Sequence, residues 1–320
     1  MYSSMSFIFI LMLGLSTLMA LSTDSWFQLW ASLEINMMMF IPLMFNKDNL
    51  SINSMMKYFI VQAFASSLFI MTMLVSQKFC WSYLNSNLVV LAMTMKLGLF
   101  PIYFWFPQVS EGLTWFSFTL LSTWQKIIPM YILSSSSKLL FSVIIVASSV
   151  IGCLGMLNQT SLRKLFAYSS LTHMSWMLLS MMNNLNSWLT YFLIYSFIMV
   201  SIYSVMYKMN LSSISSMKLM NNKTQHATIL VVMMSLGGLP PFLGFLPKWM
   251  IISSTSETYY FMMFILIISS LVSIFIYLRV VYPMLFNKTL LTKKLNTQMT
   301  STPLLINSLT LIPLVPFIFF

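Results

Sequence analysis

Leu97-Gly98-Leu99-Phe100-Pro101, followed by Phe106-Pro107, and Leu236-Gly237-Gly238-Leu239-Pro240, followed by Leu246-Pro247, are the stretches that decide how this chain reads. Each interrupts a long apolar run with glycine and proline, the two residues that helices tolerate least. They fall in the fourth and the ninth apolar spans, five spans apart, so the second copy enters the membrane from the side opposite to the first. Broken helices in inverted repeats mark ion pathways near the bilayer midplane.

Working outward, apolar runs recur along the whole chain at the size that crosses about 30 Å of hydrocarbon, roughly 20 residues. The chain is 59% hydrophobic and 7% charged, with a mean hydropathy of +0.87, which excludes a water-soluble globular domain. The runs are continuous, so a barrel with alternating strands is a poor alternative. The expectation is an all-α polytopic membrane protein of about eleven transmembrane helices. The spans lie near 5–23, 26–45, 57–77, 86–106, 112–133, 138–158, 163–183, 187–209, 227–256, 258–283 and 303–320. Residues 1–320 form one membrane domain with no separate soluble part. The first stretch, Met5 to Leu21, has no basic segment before it and no cleavage signature after it, and reads as a retained helix. An Arg-rich, Ser-rich transit peptide is absent.

The formal net charge of +11 would point to nucleic acid in a soluble protein. Here the basic residues lie mainly in links between spans and report sidedness. Links after even-numbered spans hold Lys47, Lys57, Arg163, Lys164, Lys208, Lys218, Lys223, Arg279, Lys288, Lys293 and Lys294, against Lys78 and Lys138 in the opposite links. That places the N-terminus on the inner, positive side and, with an odd number of spans, the C-terminus outside. Cys80 and Cys153 have neither the spacing nor the neighbours for a disulfide framework or an iron–sulfur site. No dinucleotide, P-loop, nucleophile-elbow or metal-ligand pattern occurs.

Four charges stand inside the spans. Glu34 lies about 12 Å into the second, by the helical rise, and Lys96 at similar depth in the fourth. Lys126 lies in the fifth, three residues before Pro129, which loosens the helix there. Lys248 follows Pro247 in the second half of the interrupted ninth. Each such charge costs roughly 2.5 to 3.5 kcal/mol at a helix centre, so four are not incidental. A buried lysine can load and release a proton as a nearby carboxylate is moved or neutralised. Glu34 and Lys96 form the natural pair, Lys126 and Lys248 extend the path, and His173 in the seventh span is either a proton shuttle or a packing residue.

The blocks that carry these residues resemble a known family. They are Trp30-Ala31-Ser32-Leu33-Glu34-Ile35-Asn36, Met95-Lys96-Leu97-Gly98 through Phe104-Trp105-Phe106-Pro107, and Thr123-Trp124-Gln125-Lys126-Ile127-Ile128-Pro129. Asn158-Gln159-Thr160, the block from Leu162 to Ser170 with His173, and Leu236 to Phe242 with Pro247-Lys248-Trp249 continue the likeness. The chain resembles the chain 2 family of the antiporter-like membrane subunits of respiratory NADH:ubiquinone oxidoreductase, complex I.

The resemblance implies two inverted five-helix repeats, 1–133 and 138–283, with 303–320 as an extra C-terminal helix. It implies proton translocation driven by electron transfer elsewhere in the complex, with Glu34 and Lys96 the proton-handling pair, Lys126 the connecting lysine and Lys248 the distal one. NADH, FMN, iron–sulfur clusters and ubiquinone would then be bound by other subunits, leaving no cofactor or metal in this chain. The implied partners are chains 4 and 4L, accessory subunits and membrane lipid including cardiolipin, with no nucleic acid. The implied location is the mitochondrial inner membrane, with the N-terminus in the matrix and the C-terminus in the intermembrane space. Tyr103 stands where many members have His, and Gln108 where vertebrate members have Glu. Two rival readings are a stand-alone cation/proton antiporter and a non-conducting membrane scaffold.

Overall fold

The computed structural model describes residues 2–78, 82–183, 187–218, 223–240, 242–255 and 257–285. The expected span at 303–320, Cys80 and the basic residues 288, 293 and 294 lie outside the described residues. Among the described residues the chain is helical, with a single isolated bridge between Ser161 and Ser213 and no strand. Backbone contacts divide it into two compact units, residues 1–144 and 145–320.

The first unit holds α1 (Tyr2–Ser22), α2 (Trp26–Met44), α3 (Asn49–Lys78), α4 (Ser82–Leu97), α5 (Trp105–Gly112), α6 (Trp115–Ser122), a 3-10 turn (Trp124–Lys126) and α7 (Ile127–Ser135). α2 packs on α1 and α3, α3 packs on α4 and α5, and α4 packs on α7. α1 and α3 present Phe7, Leu18, Ile60 and Met71 outward, each more than half exposed, as a lipid-facing surface requires.

After α8 (Phe141–Met156), which begins at the edge of the first unit, the second holds α9 (Leu162–Met182), α10 (Ser187–Lys208), α11 (Ile214–Lys218), α12 (Lys223–Gly237), α13 (Phe245–Ser254), a 3-10 turn (Glu257–Tyr259) and α14 (Tyr260–Leu285). α9 is its centre: nearly all of its residues are buried, and α10, α13 and α14 pack on it. Its serine and threonine hydroxyls are satisfied locally. The hydroxyls of Ser169, Ser170, Thr172, Ser175 and Ser180 each donate to the carbonyl three residues back, so no hydroxyl hydrogen is left facing hydrocarbon.

Among the described residues, five helices are long and apolar enough to cross a membrane: Met5–Ser22, Trp26–Met44, Asn49–Val75, Ser187–Lys208 and Glu257–Tyr282. The other expected spans among the described residues are shorter, more polar or broken, and the structure differs from expectation in three ways. The third span starts at Asn49, so Lys57 belongs to α3 and not to the link before it. The fifth span is not continuous: α6 ends at Ser122, and the chain passes through the 3-10 turn before α7. Pro129 is the reason, because in a continuous helix its ring would strike the carbonyl of Gln125.

The third difference is one of register. The sequence pairs Gly98 with Gly237, but the left-handed residues are Gly98 (φ 72°) and Gly238 (φ 76°). One constant offset then relates the helix ends Leu97 and Gly237, the helix starts Trp105 and Phe245, and Pro107 and Pro247. In all three broken spans a proline, Pro107, Pro129 or Pro247, is the third residue of the helix that resumes. There its missing N–H is one the helix could not have used.

Candidate functional site

The break after α4 is closed by hydrogen bonds to the carbonyls of Thr94, Met95 and Lys96. Gly98 N–H donates to the Met95 carbonyl (3.1 Å) and Leu99 N–H to that of Thr94 (2.9 Å), a left-handed glycine cap. The Trp105 indole N–H adds a bond to the Met95 carbonyl (3.1 Å), and the Gln62 amide donates to the Lys96 carbonyl (3.2 Å). Lys96 occupies the last turn of this helix, where the negative end of the dipole favours a cation, and is only 7% exposed.

Glu34, half-buried on α2, acts electrostatically on the Lys96 ammonium and on the Tyr58 hydroxyl of α3, without a direct ion pair to Lys96 among the described residues. Tyr58 opens a chain of side-chain bonds. Its hydroxyl donates to Gln125 Oε1 (3.3 Å), and Gln125 Nε2 donates to Asn36 Oδ1 (3.1 Å), two residues along α2 from Glu34.

Lys126 follows Gln125 and ends the 3-10 turn, immediately before α7. It is 2% exposed, and its ammonium lies over the Phe106 ring, 5.0 Å from the centroid. A desolvated cation–π contact of this kind contributes on the order of 2 kcal/mol. Phe106 is backed by Trp105 (5.5 Å), and Trp105 by Tyr58 (5.9 Å), so the helix α5 that follows one break holds the lysine of another.

In the second unit the break after α12 repeats the glycine cap. Gly238 N–H donates to the Ser235 carbonyl (3.2 Å) and Leu239 N–H to that of Met234 (3.4 Å). Lys248, buried on α13, folds back and donates to the Gly237 carbonyl at 2.7 Å. The approach leaves no room for side chains: a Cβ on Gly238 would stand 3.0 Å from Lys248 Nζ, and one on Gly244 would overlap the Ser235 carbonyl. His173, buried on α9, pairs its Nδ1 with the Tyr191 hydroxyl of α10 at 2.9 Å.

The structure thus sets Glu34 and Lys96 within electrostatic reach of each other in the first unit, with Lys126 on a turn that packs against α4. It sets Lys248 and His173 on the packed helices α13 and α9 of the second. Tyr103 packs on Phe104 (3.9 Å), and Gln108, at the exposed edge of α5, accepts from Lys57 (2.9 Å). Sequence reasoning missed Tyr58, Gln62, Gln125 and Asn36. Only Gln125 and Asn36, polar neighbours of Lys126 and Glu34 inside apolar spans, carried a usable signal.

The family model described as "NADH:quinone oxidoreductase/Mrp antiporter, TM" matches residues 23–275. NADH-ubiquinone oxidoreductase chain 2 of Anopheles gambiae is 42% identical over 318 residues, covering 94% of this chain and 93% of that one. The chain 2 protein of Myxine glutinosa is 38% identical over 343 residues, covering 98% and 97%. The chain belongs to the NADH-ubiquinone oxidoreductase chain 2 family. A chain of respiratory complex I from Thermus thermophilus superposes with a TM-score of 0.79 at 20% identity, covering 96% of this chain and 78% of that one. One from an archaeal membrane-bound sulfane sulfur reductase gives 0.83 at 17%, covering 97% and 73%. As a chain 2 family member, this is a multi-pass membrane subunit of the proton-translocating arm of an oxidoreductase complex.

Proposed function

We propose that protons cross this subunit along Glu34, Lys96, Lys126 and Lys248, with His173 as a relay on α9. The observation that carries the proposal is how the lysines are held. Each is buried at the interrupted end of a helix. Lys96 sits in the last turn of α4, Lys126 rests over Phe106, and Lys248 donates to the open Gly237 carbonyl. The dipole at Lys96 and the carbonyl at Lys248 stabilise an ammonium less than a contacting carboxylate would, so small changes in nearby charge shift these two sites between ammonium and amine. Glu34 is that nearby charge for Lys96.

Electron transfer elsewhere in the complex supplies the drive, and this chain holds no NADH, flavin, iron–sulfur, ubiquinone or metal site in this reading. Its neighbours are other membrane-arm subunits, chains 4 and 4L among them, with accessory subunits and cardiolipin around them. It sits in the mitochondrial inner membrane with its N-terminus in the matrix, a sidedness supported by the excess of basic residues in the inner links. The matching register of the two glycine-capped breaks supports a division into inverted repeats, spans one to five and six to ten.

The test is Lys126→Met in the assembled complex, reconstituted in liposomes, with protons moved per electron as the readout. Methionine keeps the length and apolar stem, so a lower ratio with normal assembly is expected. An unchanged ratio would overturn the assignment.

A further inference from the structure

Three buried tyrosines of the second unit take no part in the lysine pathway. Tyr191 and Tyr195 stand four residues apart on one face of α10, Tyr277 lies on α14, and each is at most 2% exposed. They converge on α9, where Ser169, His173 and Trp176 share a face at helical spacing. His173 Nδ1 meets the Tyr191 hydroxyl at 2.9 Å, and the His173 ring lies 5.2 Å from the Tyr195 ring and 6.0 Å from the Tyr191 ring. The Tyr191 hydroxyl is within electrostatic reach of the Tyr195 and Tyr277 hydroxyls. Tyr277 has the Ser169 hydroxyl as its side-chain neighbour, without the alignment of a full hydrogen bond. Ser169 spends its own hydrogen on the Phe166 carbonyl (2.8 Å), so it faces Tyr277 as an acceptor.

Packing alone does not ask for these hydroxyls. Phenylalanine fills the same volume, and a buried hydroxyl without a well-aligned partner costs on the order of 1–3 kcal/mol. The Tyr277 hydroxyl and the Trp176 indole N–H both lack one.

We propose that His173, Tyr191, Tyr195 and Tyr277 form a proton-transferring node between α9, α10 and α14, a hydroxyl route that extends the lysine pathway and rests on that reading of it. In its neutral form with Nδ1 protonated, His173 donates to the Tyr191 oxygen, and Nε2 is the nitrogen that accepts a proton. A proton arriving at Nε2 makes the imidazolium. The Nδ1 proton then passes to the Tyr191 oxygen as the Tyr191 hydrogen moves on towards Tyr195 or Tyr277. One proton enters at Nε2 and one leaves from a tyrosine hydroxyl, with His173 again neutral as the other tautomer. Rotation of the ring and the hydroxyls resets the chain.

The experiment uses the assembled complex in liposomes carrying Tyr191→Phe, Tyr195→Phe or Tyr277→Phe, with Lys126→Met in parallel. Coupled proton translocation is expected to slow about a hundredfold or more for Tyr191→Phe, in the range general acid–base groups contribute, with assembly intact. Replacing Tyr191 by a ring-fluorinated tyrosine, which keeps the hydroxyl but makes it more acidic, is expected to restore translocation with a displaced pH profile. Wild-type translocation in all three phenylalanine variants overturns the node. If Lys126→Met abolishes translocation in the same preparations, the lysine pathway survives without the node. If Lys126→Met is also silent, the pathway itself fails and the node with it. Should a phenylalanine variant fail to assemble, the fluorinated tyrosine decides alone, and an unchanged pH profile overturns the proposal.

Discussion

At the scale of single residues, the problem this chain solves is keeping lysines in hydrocarbon at a cost of roughly 2.5 to 3.5 kcal/mol each. Helix ends and an aromatic ring hold them, and Lys96 meets Glu34 without a direct ion pair among the described residues. The charge of Glu34 is therefore felt at a distance, and Glu34→Gln should slow coupled turnover about tenfold with assembly unchanged, while Glu34→Asp should slow it less. Proton-to-electron ratio and turnover in liposomes check both. Gln125 is predicted to matter for stability. Gln125→Leu strands the Tyr58 hydroxyl and the Asn36 amide, and should destabilise by roughly 1–3 kcal/mol in thermal unfolding. The charged residues were legible in the sequence because a lysine in an apolar run contradicts its surroundings. The network around them was not, since nothing in the sequence shows that Gln125 meets Tyr58 and Asn36, 67 and 89 positions away.

At the scale of elements, the breaks are the working parts, and glycine makes them possible. Gly238→Ala puts a side chain in the left-handed region and presses it on Lys248 Nζ and the Gly244 carbonyl. The strain should be about 1–3 kcal/mol and should lower both the amount of assembled subunit and its proton translocation. Gly14→Ala is the control: nothing lies within 4 Å of the added carbon in the middle of α1, so it should be neutral or stabilising by up to about 1 kcal/mol. Quantitative immunoblots of the assembled complex separate the two outcomes. The existence of the helices and two of the breaks could be read from hydropathy and from the Gly/Pro clusters. The third was legible only as a helix loosened near Lys126 by Pro129, because Thr123-Trp124-Gln125-Lys126 contains no glycine to mark a full break. The one-residue error in matching the two breaks has a similar cause. Gly237 and Gly238 are adjacent, and only the backbone tells which of them is left-handed.

At the scale of the whole molecule, a proton path needs each broken helix pair to cross the bilayer as a single span. If α4 with α5, and α6 with α7, each cross once, then α3 and these two spans make three crossings between the link at Asp48 and the link at Ser137. The two links would then lie on opposite sides. Were either pair re-entrant, they would share a side. The charge pattern favours opposite sides, since Lys47 belongs to the basic set and Lys138 to the sparse one, and each basic residue near an anionic surface is worth about 1 kcal/mol. In a chain whose Cys80 and Cys153 are replaced by serine, Asp48→Cys should react with an impermeant thiol reagent only from the inner face. Ser137→Cys should react only from the outer face. Labelling of both from one face would mean that a broken span turns back, and the route from Lys96 through Lys126 would then lack a continuous passage across the membrane.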